Sequence, residues 1–219
     1  MLTWAINAGG GTGKENSFCV KTDNLNDVII TGYYGYNGVS CTFGGTSYSC
    51  AGVYDLFVEK FTPGGVFQWV RTAGSFGDDI GVAVEVDTNN NIYVTGQHWS
   101  TMTIGGTAFT VGHAAAAGWD ACIIKFDASG NYKWSELFSG NLYDGANMIA
   151  YSNGKIYVTG CYQGSAFTLY SANASNQTIA SAGGYDMYLA QYDTLGNLNW
   201  VDHFGAGGDD IARSVVVSG

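Results

Sequence analysis

Charged residues and proline are scarce in this sequence. Charged residues make up only 12% of its 219 residues, about half of the usual ~25%, so long solvated helices laced with Glu–Lys pairs are not expected. A single proline excludes a proline-rich linker and a collagen. Because aromatic residues reach 15% and hydrophobic residues 46%, the composition also excludes intrinsic disorder.

Basic residues and long apolar runs are also few. The chain has 8 Lys and Arg residues against 18 Asp and Glu residues, a net charge of −10. Such a surface repels phosphate backbones, so we expect no nucleic-acid partner. No apolar run approaches the ~20 residues of a transmembrane helix, so we expect no membrane-spanning segment. Residues 1–4 have neither a basic nor an apolar region, and we expect no signal peptide in this segment. The chain is then either cytosolic or the mature or excised part of a longer one.

The five cysteines form no metal-binding signature, since no C-x-x-C motif is present. Cys41 and Cys50 flank a Gly-Gly turn, and this spacing leaves open a disulfide across a hairpin in an oxidising compartment. The other three lie in strand-like runs, where we expect small buried hydrophobic residues; they are Cys19, Cys122 and Cys161.

An internal repeat sets the architecture. Tryptophans recur at intervals of 65, 65 and 66 residues, at Trp4, Trp69, Trp134 and Trp200. The glycine of a Thr-Gly pair recurs at intervals of 64 residues, at Gly32, Gly96 and Gly160. We interpret both sets as blade-packing and turn positions. They predict one domain over residues 1–219, with repeats at approximately 4–68, 69–133 and 134–199 and a partial repeat at 200–219.

The sequence pattern of each repeat predicts four short strands joined by tight turns. The abundant glycine favours such turns. In the second repeat these strands are Gly81–Val86, Ile92–Gly96, Ala121–Phe126 and Tyr132–Phe138. The longer segment between the second and third strands carries its own hairpin signal, Thr-Ile-Gly-Gly-Thr at 103–107, which the first repeat echoes at 42–46. Further strands are predicted at both ends, an outer strand at Leu2–Ala8 and an inner strand at Ala212–Val217.

Four-stranded antiparallel units in tandem are typical of a β-propeller. The sequence therefore predicts an all-β fold, a β-propeller with three full blades and a partial blade at both ends. Known propellers close with roughly four to eight blades, and an open fan exposes unpaired strand edges. We therefore expect either an excerpt of a longer propeller, or a chain that completes its ring by pairing with other copies of itself or with a protein partner.

The second repeat contains a pattern rich in aspartate, glycine and aromatic residues, namely Asp79, Ala83, Val86, Asp87, Asn91, Tyr93–Gly96, Gly118, Asp120, Lys125, Asp127, Gly130 and Trp134. In these residues the repeat resembles the SBBP family of bacterial β-propeller repeats. The third repeat departs from it at Ser152 and Gln191. The resemblance implies an extracellular or cell-surface module of a larger chain, without enzyme activity. A second, weaker resemblance to quinoprotein-type propellers leaves an enzyme as an alternative.

An acidic residue recurs just before the first strand of each repeat. The series is Glu15, Asp79, Asp144 and Asp210. We favour a structural role, in which each carboxylate accepts backbone N–H bonds and fixes the connecting turn. The alternative is a cation site at the mouth of the central channel, where calcium would bind several oxygens. No other cofactor is expected, and the three histidines, His98, His113 and His203, form no ligand or catalytic spacing.

The segments between the second and third strands vary most between repeats and carry many aromatic residues. Rigid aromatics on variable loops suit ligand contact. The candidate ligand-binding residues are Tyr34, Tyr36, His98, Trp99, Trp119, Tyr162 and Tyr170. The favoured function is a non-enzymatic scaffold or adhesion module that binds a protein partner. The alternative is a lectin-like propeller that binds glycans through these aromatics.

Overall fold

The polypeptide folds into antiparallel strands and turns. The structure is a computed structural model, which describes residues 13–104, 107–111 and 118–218. These ranges contain eighteen strands and no helix. Nothing in the described part of the chain could therefore cross a bilayer as a helix.

The strands fall into three consecutive units of six. The first unit contains β1 (Lys14–Thr22), β2 (Val28–Gly35), β3 (Cys41–Phe43), β4 (Thr46–Tyr48), β5 (Asp55–Phe61) and β6 (Phe67–Gly74). The second contains β7 (Asp79–Val86), β8 (Ile92–His98), β9 (Met102–Ile104), β10 (Thr107–Val111), β11 (Asp120–Phe126) and β12 (Tyr132–Ser139). The third contains β13 (Asp144–Ser152), β14 (Lys155–Tyr162), β15 (Phe167–Leu169), β16 (Gln177–Ile179), β17 (Asp186–Asp193) and β18 (Leu198–Phe204).

Four strands of each unit pair in sequence order, as β1-β2-β5-β6, β7-β8-β11-β12 and β13-β14-β17-β18. The remaining two form a hairpin, which in the second and third units joins the sheet of the unit before it and in the first unit is a two-stranded sheet among the described residues. The hairpin β9–β10 pairs with β6 of the unit before it, and β15–β16 pairs with β12. The all-β prediction and the four-stranded antiparallel units are therefore confirmed, and their arrangement is consistent with propeller blades.

The core lies between these sheets. Every residue of β5 and of β11 is buried, as expected for strands that are covered on both faces. Apolar side chains of adjacent units share clusters: Val84 of β7 packs with Val58 of β5, and Ile149 of β13 packs with Ile123 of β11. The units are thus joined by continuous apolar packing rather than by flexible linkers.

The repeated glycine lies opposite a bulge in the first strand of each unit. The pairing of β1 with β2 shifts register between Ser17 and Cys19, and the same shift occurs in the other two units. A Cβ atom on Gly32 would lie 1.8 Å from the carbonyl oxygen of Asn16, and one on Gly160 would lie 1.8 Å from that of Gly145. Only glycine fits so close a backbone approach.

The repeated tryptophan packs against a turn of the following unit. The ring of Trp69 lies against Gly130, where an added Cβ would come within 2.9 Å. Trp134 covers Gly196 in the same way and donates a hydrogen bond to the Thr194 carbonyl at 3.1 Å. Trp200, by contrast, is 37% exposed. The remaining member of the series, Trp4, lies outside the described residues.

Aspartates close most of the tight turns. Asp87 Oδ1 accepts the backbone N–H groups of Asn89 at 2.8 Å and Asn91 at 2.9 Å. The third unit replaces this turn by a shorter one, in which Asn153 and Gly154 both have positive φ. Such a two-residue turn needs no capping carboxylate, which explains why the repeat departs from aspartate there.

The predicted terminal strands have different outcomes. Leu2–Ala8 lies outside the described residues. The predicted strand over Ala212–Val217 is wrong, because this segment has no regular structure and no described strand pairs with it. It nevertheless follows β13, since Asn147 Nδ2 donates to the Ala212 carbonyl at 2.8 Å.

Candidate functional site

The connector between β6 and β7 is organised by a buried aspartate. Asp79 is fully buried, and its Oδ2 accepts the backbone N–H of Ser75 at 2.5 Å. Its own N–H donates to the carbonyl of Tyr54 at 2.8 Å. Because Tyr54 immediately precedes β5, this bond holds the connector against the end of the first sheet.

The same bond recurs at the next two connectors. The N–H of Asp144 donates to the carbonyl of Trp119 at 2.7 Å, and that of Asp210 donates to Tyr185 at 2.5 Å. Asp210 Oδ2 also accepts the N–H of Ala206 at 2.9 Å. These are the bonds that the structural role of the acidic series requires.

A second aspartate stands at the start of the third strand of each sheet. Asp55 Oδ2 accepts the N–H of Ala51 at 2.8 Å, and its Oδ1 accepts that of Gly52 at 3.3 Å. Asp186 accepts the N–H of Ala182 at 2.7 Å. The carboxylate therefore fixes the chain where it enters the sheet.

Burial shifts the ionisation of these aspartates. Burial, with a smaller repulsion from Asp55, raises the pKa of Asp79 to about 7. Burial and repulsion from Asp120 raise the pKa of Asp144 to about 8. One oxygen of each, Asp79 Oδ1 and Asp144 Oδ2, is buried without a hydrogen-bond partner. Both effects favour the neutral carboxylic acid near neutral pH.

The acidic series does not form a metal site in the described part of the chain. There, no three or more His, Cys, Asp or Glu side chains are grouped closely enough to hold a metal ion, whereas calcium takes six to eight oxygen ligands. Asp79 and Asp144 are fully buried, and Glu15 is half-buried. The bonds to the connectors thus favour the structural role over the calcium alternative.

Three of the candidate ligand-binding residues lie in strands and are buried, so their expected position on variable loops is wrong. Tyr34, His98 and Tyr162 are at most 1% exposed, and they occupy one equivalent position in β2, β8 and β14. The Tyr34 hydroxyl donates to the Ser49 carbonyl at 3.2 Å. Burial lowers the pKa of His98 below its usual value, which favours the neutral ring. These side chains belong to the core rather than to a ligand surface.

The hairpin cysteines do not form a disulfide in the structure. Cys41 lies in β3, while the Sγ of Cys50 donates to the Gly52 carbonyl at 3.2 Å and lies 3.4 Å from Asp55 Oδ1. Burial, with repulsion from Asp55, raises the pKa of Cys50 to about 11. The Cys50 thiol therefore acts as a buried hydrogen-bond donor.

Partly exposed aromatic side chains lie along the ends of the sheets, beside the buried aspartates. We call them the aromatic row, which comprises Tyr33, Tyr36, Tyr54, Trp99, Trp119, Tyr143 and Tyr185. Three of them, Tyr54, Trp119 and Tyr185, occupy one equivalent position, directly before the aspartate that begins the third strand. The repeat therefore places an aromatic ring at the same end of each sheet.

The members of the row contact one another. In the first unit, the ring centroids of Tyr33 and Tyr54 are 4.5 Å apart. Between the second and third units, Trp119 lies 5.9 Å from Trp99 and 6.4 Å from Tyr143. Tyr143 in turn lies 5.5 Å from Tyr185. The rings thus brace one another, which limits their motion.

The two most exposed rings of the row belong to candidate ligand-binding residues named in the sequence analysis. Tyr36 is 40% exposed and Trp99 is 41% exposed. The ammonium group of Lys14 lies 4.8 Å from the Tyr36 ring centroid. Trp99 packs against Gly77 in the β6–β7 connector, where an added Cβ would meet it at 2.4 Å. Both rings therefore sit on fixed backbone and offer a face to solvent.

Three of the candidate ligand-binding residues belong to the row, namely Tyr36, Trp99 and Trp119. Tyr54 and Tyr143 were not among the candidates. Tyr170 is half-buried, and its N–H donates to the Leu137 carbonyl at 3.1 Å, beside β12 and away from the row. The recurrence of an aromatic residue before each repeated aspartate is the signal that could have found Tyr54.

Comparison with known proteins gives two distant relatives. The chain is 24% identical to "Uncharacterized WD repeat-containing protein L264" of Acanthamoeba polyphaga mimivirus, in an alignment of 240 positions that covers 97% of this chain. Over 173 residues, 77% of this chain, it is 23% identical to "Regulatory protein FlaEY" of Caulobacter vibrioides. The chain spans only 17% of the length of each. No family model matches the chain. The first similarity agrees with a β-sheet repeat architecture and does not indicate an SBBP repeat.

Proposed function

We propose that this chain is a β-propeller segment, of the SBBP type, that acts as a non-catalytic interaction module. The aromatic row carries this proposal, because it is a partly exposed surface built at equivalent positions on a rigid repeat scaffold. The similarity to a protein described as containing WD repeats supports a partner-binding scaffold rather than an enzyme.

The physical reason is the low cost of ordering this surface. Aromatic residues are enriched at protein interfaces because they bury a large area while losing few rotatable bonds. The rings of the row are already held by one another and by the connectors, so binding would freeze little additional motion. A protein partner that offers apolar and hydrogen-bonding groups fits this surface.

The setting that the resemblance to SBBP repeats implies is extracellular. We propose that the segment belongs to a larger surface or secreted chain, in which it supports adhesion. The net charge of −10 is compatible with this setting, since it keeps the surface soluble and disfavours nucleic acid.

A lectin-like function is the second candidate, and the pair Trp99 and Trp119 favours it. Their rings meet edge to face, with an interplanar angle of 88°, and Trp99 is 41% exposed. An exposed indole of this kind can stack on an apolar sugar face. A glycan ligand would therefore contact the second unit first.

The test compares the wild-type chain with Trp99→Ala and with the control Val66→Ala, which shortens a 64% exposed side chain in the turn between β5 and β6. Each is used to capture surface proteins of the source organism, and each is applied to a glycan array. We expect the wild type and the control to retain surface proteins that Trp99→Ala no longer retains. A glycan signal with that same dependence would favour the lectin alternative. Equal protein capture by all three chains would refute the aromatic row as the binding surface.

A further inference from the structure

The aromatic row holds one cation of the chain itself. The ammonium group of Lys14 lies 4.8 Å from the Tyr36 ring centroid and donates to the hydroxyl oxygen of Tyr54 at 3.5 Å. The ring centroids of Tyr36 and Tyr54 are 5.9 Å apart. The face of an aromatic ring attracts a cation because its π electrons carry negative charge. One end of the row is therefore an ammonium site that is occupied from within the chain.

Other cations of the chain use aromatic rings in the same way. The guanidinium group of Arg71 lies 5.3 Å from the Trp69 ring centroid, and the ammonium group of Lys125 lies 5.1 Å from that of Tyr93. Among the described residues, however, no Lys or Arg side chain lies over the ring of Trp99. This ring is 41% exposed, so its face is accessible to a cation from another molecule.

Asp78 has the position in the row that Tyr143 has one unit later, since each directly precedes the repeated aspartate. Tyr143 lies 6.4 Å from Trp119 of the unit before it and 5.5 Å from Tyr185 of its own unit. The equivalent neighbours of Asp78 are Tyr54, with which its backbone forms a bridge, and Trp119. The repeat therefore places a carboxylate among the aromatic rings of the row.

This carboxylate has no counter-charge in the described part of the chain. The Oδ1 atom of Asp78 is buried without a hydrogen-bond partner, and Asp78 belongs to none of the ion pairs there. At the equivalent position one unit further on from Tyr143, Asp209 Oδ1 accepts the N–H of Tyr185 at 3.0 Å. Burial raises the pKa of Asp78, because an unpaired negative charge is costly to bury. A cation beside Asp78 would offset this cost, and the half-buried side chain leaves it room to approach.

The exposed indole and this carboxylate are neighbours, because Trp99 lies against Gly77, which directly precedes Asp78. We propose that Trp99 and Asp78 together bind a lysine or arginine side chain of the protein partner. The cation lies over the indole, as Arg71 lies over Trp69, and pairs with the carboxylate. The net charge of −10 attracts a basic partner at longer range. This inference rests on the proposed function, because it names the chemistry that the aromatic row recognises.

The experiment compares two labelled peptides. The first is a flexible Gly-Ser peptide of about ten residues that carries lysines and arginines. The second has norleucine and citrulline at the same positions, which keep the length of the side chains and remove their charge. Binding of each peptide to the full chain is followed by fluorescence anisotropy. We expect the basic peptide to bind and the uncharged peptide not to bind, because the cation supplies the attraction to both the ring and the carboxylate.

Substitutions at the two residues locate the site. Asp78→Asn removes the charge at nearly constant shape, and Trp99→Ala removes the ring; each should weaken binding of the basic peptide at least ~5-fold. Trp99→Phe restores a ring and should bind more tightly than Trp99→Ala. The control Asp202→Asn changes the net charge by the same amount at an exposed position in β18, and it should bind like the wild type. A urea titration of each variant shows whether it is folded.

Three results would overturn the proposal. The basic peptide could fail to bind, the uncharged peptide could bind equally well, or Asp78→Asn and Asp202→Asn could have the same effect, which would indicate attraction to the net charge alone. These results differ from a failure of the proposed function. If capture of surface proteins still depends on Trp99 while the basic peptide does not bind, the aromatic row remains the binding surface and only its recognition of a cation is wrong.

Discussion

Gly160 tests whether the bulge opposite each repeated glycine is a requirement of the fold. In the structure, a Cβ on Gly160 would lie 1.8 Å from the carbonyl oxygen of Gly145 and 2.8 Å from its carbonyl carbon. Both atoms are backbone, in a strand that pairs with β14 along its length. Gly160→Ala therefore cannot be accommodated by rotating a side chain.

The expected cost follows from that geometry. Overpacking a well-packed core costs ~1–3 kcal/mol, and a clash between two backbone segments belongs at the upper end of this range. For a chain of this size, each kcal/mol lowers Tm by ~2–4 °C. We therefore expect Gly160→Ala to lower Tm by ~6–12 °C and to shift the urea midpoint without changing its m value.

The matched control is Gly207→Ala. No atom lies within 4 Å of the Cβ that would be added there, and Gly207 does not have a positive φ. This variant should be neutral or more stable by ~0.4–1 kcal/mol, because alanine restricts the unfolded chain. If the two variants unfold at the same urea concentration, the close approach at Gly160 is not as described and the argument from the bulge fails.

Three further predictions concern ionisation, packing and thiol chemistry. The pKa of Asp79 is about 7 in the folded chain instead of 3.8. Between these pH values the folded chain keeps a proton that the unfolded chain loses, so the free energy of unfolding should fall as pH rises. D79N should therefore make the urea midpoint less dependent on pH. Trp134→Ala should lower the free energy of unfolding by ~2–4 kcal/mol, because it removes a half-buried ring and the hydrogen bond to Thr194. Trp200→Ala removes a more exposed ring, so its loss in the same urea titration should be less than half as large. Since burial and repulsion from Asp55 raise the pKa of Cys50 to about 11, its alkylation should be slow in the folded chain and fast in urea, and a reductant should leave Tm unchanged; a reductant-dependent Tm would instead indicate the disulfide.

The strands of the sheets could be predicted closely, because turn residues and apolar runs mark their ends. The prediction of Ile92–Gly96 differs from β8 by two residues. The strand continues because His98 pairs with Asp79 and with Asp120 on its two sides. Strand length thus depends on neighbouring strands that are distant in the sequence.

The hairpin of the third unit was not predicted. The Gly-Gly signal that marks β3–β4 and β9–β10 is absent between β15 and β16. The chain there turns through a longer loop, in which the N–H of Ser171 donates to Asn176 Oδ1 at 3.2 Å. Side-chain bonds of this kind replace the glycine turn, and they leave no short sequence signature.

The aromatic site could be predicted only in part. Trp99 and Trp119 are at the surface as expected. The sequence could not show, however, that the side chain of Tyr34 points into the core. Strands that are covered on both faces do not alternate between apolar and polar residues, so the pattern cannot show which aromatic points inward. The hydroxyl of a buried tyrosine also finds partners only in the folded chain, as Tyr34 does with Ser49.

The central claim is that the second and third units are each joined to the unit before them by a hairpin that pairs with that unit's outer strand. Hydrogen exchange of the full chain, followed by mass spectrometry of its peptides, tests this claim most directly. The account predicts slow exchange in residues 102–104 and 167–169, at a rate close to that of β6 and β12. The end of β18, where Phe204 is 49% exposed, should exchange faster than the equivalent end of β12, where Phe138 is fully buried. Fast exchange in both hairpins, at the rate of unstructured loops, would contradict the joined architecture.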